Sequence, residues 1–340
     1  METKVRRIDL DIAKGIGIIL VVLAHAEMPN AKYITQFHMP FFFFISGMLF
    51  STKDTPFWDY VKRKAKSLLY PFWFWNVLFY PVFFVLYYWK QWEIKTAATD
   101  LLNIACTVWK VPFLGATWFL ASLFWVAVII KALYKAFGKM KYGRLVLLVF
   151  AALLAFTGYI YTFPFRLSRT FVCSSFYIVG FLYNNSGIHE KISDNIKYIT
   201  SVAAAIIYFV ITSFFDSSIA ANKYDNFVIY YIGALCAIYA LLNLCLLLSR
   251  SKLKKVIEHL SYLGRNTIGI VIWQFLSFRF VIIIQIVVLG GSLRWLTDFP
   301  VHDGSGIWWL LYTVAGVYIS VLVEKVLDII KSKLKIKAVP

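Results

Sequence analysis

Residues 227–249 read FVIYYIGALCAIYALLNLCLLLS and contain no charged side chain. As a helix this segment would be about 35 Å long, enough to cross the roughly 30 Å hydrocarbon core of a bilayer. The whole chain of 340 residues shares this character, with 61% hydrophobic and 15% charged residues. Soluble domains have about 45–50% apolar and about 25% charged residues. The sequence therefore predicts an integral membrane protein.

Apolar runs recur along the chain and predict an all-α, polytopic membrane helix bundle of about ten transmembrane helices. The second and sixth predicted spans are short. We find no internal repeat or long linker, so residues 1–340 are predicted to form a single domain. The ten predicted spans are Ile12–Met28, Gln36–Ser51, Leu68–Tyr88, Trp118–Phe137, Leu145–Tyr161, Thr170–Asn184, Tyr198–Phe215, Phe227–Ser249, Thr267–Leu289 and Ile307–Ile330.

The net charge of +18 is distributed unevenly over the loops between these runs. If the N-terminus is cytoplasmic, the cytoplasmic segments hold about three times as many Lys and Arg residues as the outer loops. This bias predicts that both termini lie in the cytoplasm. It also explains the excess of basic residues by their role in orienting the protein in the membrane, so nucleic-acid binding is not expected.

The first predicted span contains polar residues that are costly inside a membrane. Lys14 and His25 are eleven residues apart, so a helix places both on one face, about 16 Å apart along its axis. Asp11 falls on the same stripe and is predicted to pair with Lys14. Lys14 alone is also compatible with snorkelling to the interface, and His25 with a structural hydrogen bond. Gly15 and Gly17 offer a thin patch to a neighbouring helix or a narrow ligand.

Four further residues are candidate substrate contacts. His38 is predicted to lie at the outer mouth of the second span, as either a functional or an interfacial histidine. Ser46 is predicted to lie either in a close-packing site or in the polar wall of a cavity. Arg166 lies with Arg169 in a short outer loop. It is predicted either to bind an anionic or sugar substrate or to contact lipid headgroups. Arg279 lies deep in the ninth span and requires a counter-charge or an aqueous cavity. No metal site is predicted, because the four cysteines have no metal-ligand spacing.

Four segments resemble the acyltransferase-3 family of bacterial membrane O-acyltransferases: LDIAKGIGIILVVLAH, FHMPFFFFISGMLF, TWFLASLF and LGRNTIGIVIWQF. The family's motif of a basic residue and a histidine eleven positions later falls on Lys14 and His25. Its phenylalanine-rich segment falls on residues 41–47, with His38 shortly before it. The family commonly has Arg where this chain has Lys14, and often a His where this chain has Trp273 and Gln274. A catalytic role is therefore not expected at that second position.

The resemblance implies transfer of an acyl group, usually acetyl, from cytoplasmic acetyl-CoA to a hydroxyl of a surface polysaccharide or lipid-linked sugar. The expected location is the bacterial cytoplasmic membrane, with acetyl-CoA as a co-substrate and no permanently bound cofactor. We expect the donor arm to run along the glycine face past Lys14 and Asp11. His25 would act as general base or accept the acyl group covalently, and His38 would position the acceptor. The alternative is a small-solute transporter of the same fold.

Overall fold

The computed structural model describes residues 6–88, 94–108 and 110–333, and these residues form a helical bundle with one short β-hairpin. The helices are α1 (Ile8–His25), α2 (Lys32–Thr35), α3 (His38–Met48), α4 (Phe57–Lys64), α5 (Tyr70–Tyr88), α6 (Ile94–Ala105), α7 (Trp118–Phe137), α8 (Gly143–Ile160), α9 (Leu167–Ser186), α10 (Ile188–Lys191), α11 (Asp194–Phe214), α12 (Phe227–Ser249), α13 (Lys254–Arg265), α14 (Thr267–Leu289) and α15 (Trp308–Lys333). A π-helical turn, Ala65–Leu69, joins α4 to α5, and 3-10 turns cover Pro112–Thr117, Pro164–Arg166 and Leu293–Thr297. Strands β1 (Ser217–Ser218) and β2 (Lys223–Tyr224) pair antiparallel.

The predicted class, an all-α membrane bundle, is confirmed. Seven helical segments in the described part of the chain are long and apolar enough to cross a membrane: 57–85, 112–137, 143–160, 194–214, 227–249, 267–289 and 308–333. The other three predicted spans correspond to α1, α3 and α9. Helix α3 has 11 residues and is therefore about 16 Å long, roughly half the hydrocarbon thickness. The count of ten stays a prediction, as does the cytoplasmic location of the chain ends, which lie outside the described residues.

The outer faces of the bundle are apolar. Large hydrophobic side chains are more exposed than a soluble surface would allow, with Phe214 80% and Val287 77% accessible. Surfaces of this kind are stable in lipid, where the helices satisfy their own backbone hydrogen bonds. The polar groups discussed below are instead directed into the bundle.

Helix α1 lies in the interior, in contact with α3, α12, α13, α14 and α15. Its glycine face is fully occupied. A Cβ atom at Gly15 would overlap the backbone carbonyl of Leu260 in α13, and one at Gly17 would lie 2.9 Å from the ring of Phe41 in α3. Neighbouring helices therefore cover the thin patch, because small residues let backbones approach closely. The expected donor route along this face is wrong for this structure.

Candidate active site

A helical hairpin brings the two predicted histidines together. His25 is the last residue of α1 and His38 is the first residue of α3. The chain reverses between them through the short helix α2 and two residues with left-handed backbone conformations, Glu27 and Asn30. Both histidines therefore lie at the end of the bundle where α1 ends, which we call the His25 side. The opposite end is the Lys14 side.

His25 and His38 line one cavity of about 130 Å³. Its walls come from α1, α3, the start of α7, the β-hairpin and the first turns of α14. Apart from the histidines the lining is mainly apolar, so polar groups that enter meet few competing partners. The lining residues are Val21, Ala24, His25, Thr35, His38, Met39, Phe42, Ala116, Trp118, Phe119, Ser218, Ala220, Thr267 and Val271.

Gln274 of α14 fixes the orientation of His25. The Gln274 side-chain nitrogen donates to the backbone carbonyl of Val271 at 3.3 Å, which turns its oxygen toward His25. That oxygen lies 2.9 Å from Nδ1 of His25. Because an amide oxygen only accepts hydrogen bonds, Nδ1 carries the proton and Nε2 keeps its lone pair. Gln274 is completely buried, so this bond is shielded from water.

His38 is held in the same tautomer by a different partner. Its Nδ1 donates to the backbone carbonyl of Ile34 at 2.9 Å, and the side chain is buried. A carbonyl can only accept, so Nε2 of His38 is also unprotonated when the ring is neutral. Among the described residues no hydrogen bond uses Nε2 of either histidine. The cavity thus holds two imidazoles, each with one nitrogen fixed and the other available.

The cavity also extends toward the Lys14 side. Helices α1 and α14 run in the same direction. Gly264, at the end of α13 just before α14, packs on Asp11 and Gly15 near the start of α1. Gln274, further along α14, reaches His25 at the end of α1. Thr267 lines the cavity seven residues before Gln274, about 10 Å lower along the helix. It therefore lies between the levels of His25 and Lys14, about one helical turn short of the level of Lys14. The cavity therefore follows the first turns of α14.

Lys14 forms the predicted ion pair with Asp11. Its Nζ lies 2.7 Å from one carboxylate oxygen of Asp11, and Arg6 Nε lies 2.6 Å from the other. The Asp11 side chain is 9% exposed and that of Lys14 is 26% exposed. Two cations therefore share one nearly buried carboxylate, which leaves net positive charge at this point. Lys14 does not line the cavity, and eleven residues of helix, about 16 Å, separate it from His25.

The remaining predicted residues lie outside the cavity lining. Ser46 is half-buried and about 12 Å along α3 from His38, beside the close contact of α3 with α9. Arg166 is exposed and has a left-handed backbone conformation. Arg279 donates hydrogen bonds to three backbone carbonyls of the loop before α15, at Leu296, Asp298 and Pro300. These carbonyls compensate the charge of Arg279, so neither an acidic side chain nor an aqueous cavity is needed there.

Arg169, rather than Arg166, contacts the cavity wall. Its guanidinium stacks on the indole of Trp118, 3.9 Å from the ring centroid, and donates to the carbonyl of Ala220 at 2.8 Å. Trp118 and Ala220 both line the cavity. Arg169 is 5% exposed, and its buried Nε has no hydrogen-bond acceptor among the described residues. The sequence did not distinguish the two arginines because only the packing of α9 separates them.

Lys110 adds another positive charge on this side. It precedes Val111, whose backbone N–H donates to the buried side-chain oxygen of Asn76 at 2.8 Å. Burial, together with the charges of Arg166 and Arg169, lowers the pKa of Lys110 to about 8. Lys110 is also close enough to His25 to interact electrostatically with the ring. No ion pair in the described ranges involves any of these three cations.

The described residues form an apolar helical bundle suited to a membrane, and comparison with known proteins identifies the family of the chain. The family model described as an acyltransferase domain matches residues 7–325. The chain therefore belongs to the acyltransferase-3 family, and the resemblance seen in its motifs is confirmed.

One curated relative is the nodulation protein NolL of Mesorhizobium japonicum, which is 30% identical to this chain over 146 residues. This match covers 38% of the chain and 37% of NolL, so the two proteins are comparable over well under half of either length. No solved structure matches the chain.

Proposed function

We propose that this protein transfers an acetyl group from acetyl-CoA to a hydroxyl of a surface polysaccharide or lipid-linked sugar, in the bacterial cytoplasmic membrane. The observation that carries the proposal is the cavity shared by His25 and His38, in which each ring has Nδ1 fixed and Nε2 free. A family of acyltransferases needs a base at the acceptor hydroxyl, and a neutral imidazole fulfils that role near neutral pH.

Donor and acceptor approach the histidines from opposite ends of the cavity. On the predicted orientation the Lys14 side faces the cytoplasm, where acetyl-CoA is available. A donor whose thioester lies at His25 extends toward Thr267 and the level of Lys14, along α14 rather than along the glycine face of α1. The positive charge left at Lys14, Arg6 and Asp11 suits the donor phosphates. The acceptor enters from the His25 side, between the β-hairpin and α7.

The transfer step is a single displacement at the thioester carbonyl. Nε2 of His25 takes the proton of the acceptor hydroxyl as its oxygen attacks the carbonyl carbon. The new C–O bond forms, the C–S bond breaks, and His25 returns the proton to the departing thiolate. His38 holds the acceptor hydroxyl beside His25. Nε2 of His25 is equally placed to carry the acetyl group covalently, and acetylated His25 found by mass spectrometry without acceptor would establish that route.

Mass spectrometry of surface glycans tests the proposal. Cells that express the wild-type protein are compared with cells that express His25→Ala, at equal membrane levels of the two proteins. We expect glycan O-acetyl groups with the wild type and none with the variant. The matched control is His259→Ala, because His259 is an exposed histidine on α13 whose ring contacts Tyr318, away from the cavity. Acetylation retained in His25→Ala would overturn the proposed mechanism.

A further inference from the structure

The three cations on the His25 side have no role in the proposed acetyl transfer. Arg169 is buried, Lys110 is half-buried, and their like charges repel each other. Burying an unpaired charge is unfavourable unless an opposite charge joins it. Burial lowers the pKa of Lys110, and the charges of Arg166 and Arg169 lower it further. An anion bound between these cations would therefore be favourable.

Acidic side chains of this side of the bundle do not supply that anion. Asp298 binds His302 at 2.6 Å, and Asp303 binds the hydroxyl and backbone N–H of Ser305. Asp225 accepts from the backbone N–H of Asp216. No described acidic residue pairs with Arg169 or Lys110.

The position of Arg169 indicates where the anion would bind. Its guanidinium is fixed by Trp118 and Ala220, and both of these residues line the cavity that holds the histidines. Its Nε is a buried donor without an acceptor, and buried donors are normally satisfied. A planar guanidinium is suited to carboxylate and phosphate oxygens. Lys110 interacts electrostatically with both Arg169 and His25, so an anion that pairs with these cations would bind on the side of the reacting group.

We infer that the acceptor carries a phosphate or carboxylate group, and that Arg169 and Lys110 bind this group on the His25 side of the cavity. The inference rests on the proposed acetyl transfer and specifies its acceptor class. The anion positions an adjacent hydroxyl of the same sugar at Nε2 of His25. A neutral sugar would leave the two cations unpaired and would bind more weakly.

Binding of simple sugar probes to the full chain in phosphatidylcholine nanodiscs tests this inference without knowledge of the natural acceptor. The probes are glucose 1-phosphate, glucuronate and glucose, with affinities measured by titration calorimetry. We expect both anionic probes to bind, and glucose to bind at least about tenfold more weakly, because it lacks the charge-assisted hydrogen bonds. If neither anionic probe binds, or if glucose binds equally well, the inference is wrong.

Substitutions of single cations identify which residues bind the anionic probes. Arg169→Gln and Lys110→Gln should each weaken anionic-probe binding about tenfold. Arg294→Gln, which removes an exposed arginine away from the cavity, should leave it unchanged. Lys110→Gln keeps the test informative if Arg169→Gln fails to fold. Equal effects of the substitutions at Arg294 and Lys110 would contradict a specific site.

Three further arms separate this inference from its alternatives. His25→Ala should retain anionic-probe binding, so loss of acetyl transfer and loss of acceptor binding are distinguished. Displacement of glucose 1-phosphate by CoA would assign the cations to the donor and overturn the inference. Loss of glucose 1-phosphate binding in nanodiscs that contain phosphatidylglycerol would assign them to a lipid headgroup and would overturn it as well.

Discussion

Gln274 offers the sharpest mutational test of the site. The substitution Gln274→Leu keeps the volume of the side chain but removes the acceptor of the Nδ1 proton of His25. His25 is then left with an unsatisfied buried donor, or it moves its proton to Nε2 and loses the lone pair needed for base catalysis. An unsatisfied buried donor costs about 1–3 kcal/mol, which corresponds to about a 5- to 150-fold fall in kcat.

The assay is acetyl transfer by purified protein in nanodiscs, with kcat expressed per folded molecule. The KM for acetyl-CoA should change little, because Gln274 contacts His25 and not the donor phosphates. Gln274→Glu should recover most of the lost kcat, since a carboxylate oxygen accepts the same hydrogen bond.

Gln285→Leu is the matched control for this prediction. Gln285 is also completely buried in α14 and bonds to Asp303 and Tyr312, but it does not contact the cavity. Its loss should lower thermal stability without lowering kcat per folded molecule. Wild-type kcat in Gln274→Leu, or an equal fall in both leucine variants, would refute the positioning role of Gln274.

Three other outcomes are expected. The kcat/KM for the acceptor should fall as pH rises through about 8, where Lys110 loses its charge, and Lys110→Arg should abolish this fall. Lys14→Ala should raise the KM for acetyl-CoA about tenfold in the transfer assay, whereas Lys14→Arg should retain the wild-type value within a few-fold. Gly15→Ala should destabilise the bundle by about 1–3 kcal/mol, seen as a lower Tm, because the new Cβ overlaps the backbone of Leu260. Gly233→Ala should destabilise it less, because the new Cβ there meets only a side chain, which can move.

The sequence contained the local features of this site. The spacing of Asp11, Lys14 and His25 follows from helix geometry alone, and the predicted ion pair of Asp11 and Lys14 is present. The short connection between His25 and His38 also limits their separation. The ion-pair prediction succeeded because it depends only on residues near one another in the chain.

Contacts between distant segments were not predictable in the same way. Gln274 lies 249 positions from His25, and no catalytic role is expected there from the sequence because the family often has a histidine where this chain has Trp273 and Gln274. The partner of the glycine face was left open, and only the packed structure shows that Leu260 and Phe41 cover it. Arg279 was expected to need a counter-charge, yet a returning loop supplies backbone carbonyls instead. Each of these outcomes depends on which helices meet, and periodicity does not specify that.

Release of free CoA from acetyl-CoA is the most direct test of the central claim, that His25 catalyses acyl transfer inside the shared cavity. Purified wild-type protein and His25→Ala are incubated in nanodiscs with acetyl-CoA and glycan extract from the expressing cells. We expect release of CoA thiol with matching formation of acetyl ester for the wild type, and neither for His25→Ala. Equal ester formation by the two proteins would contradict it.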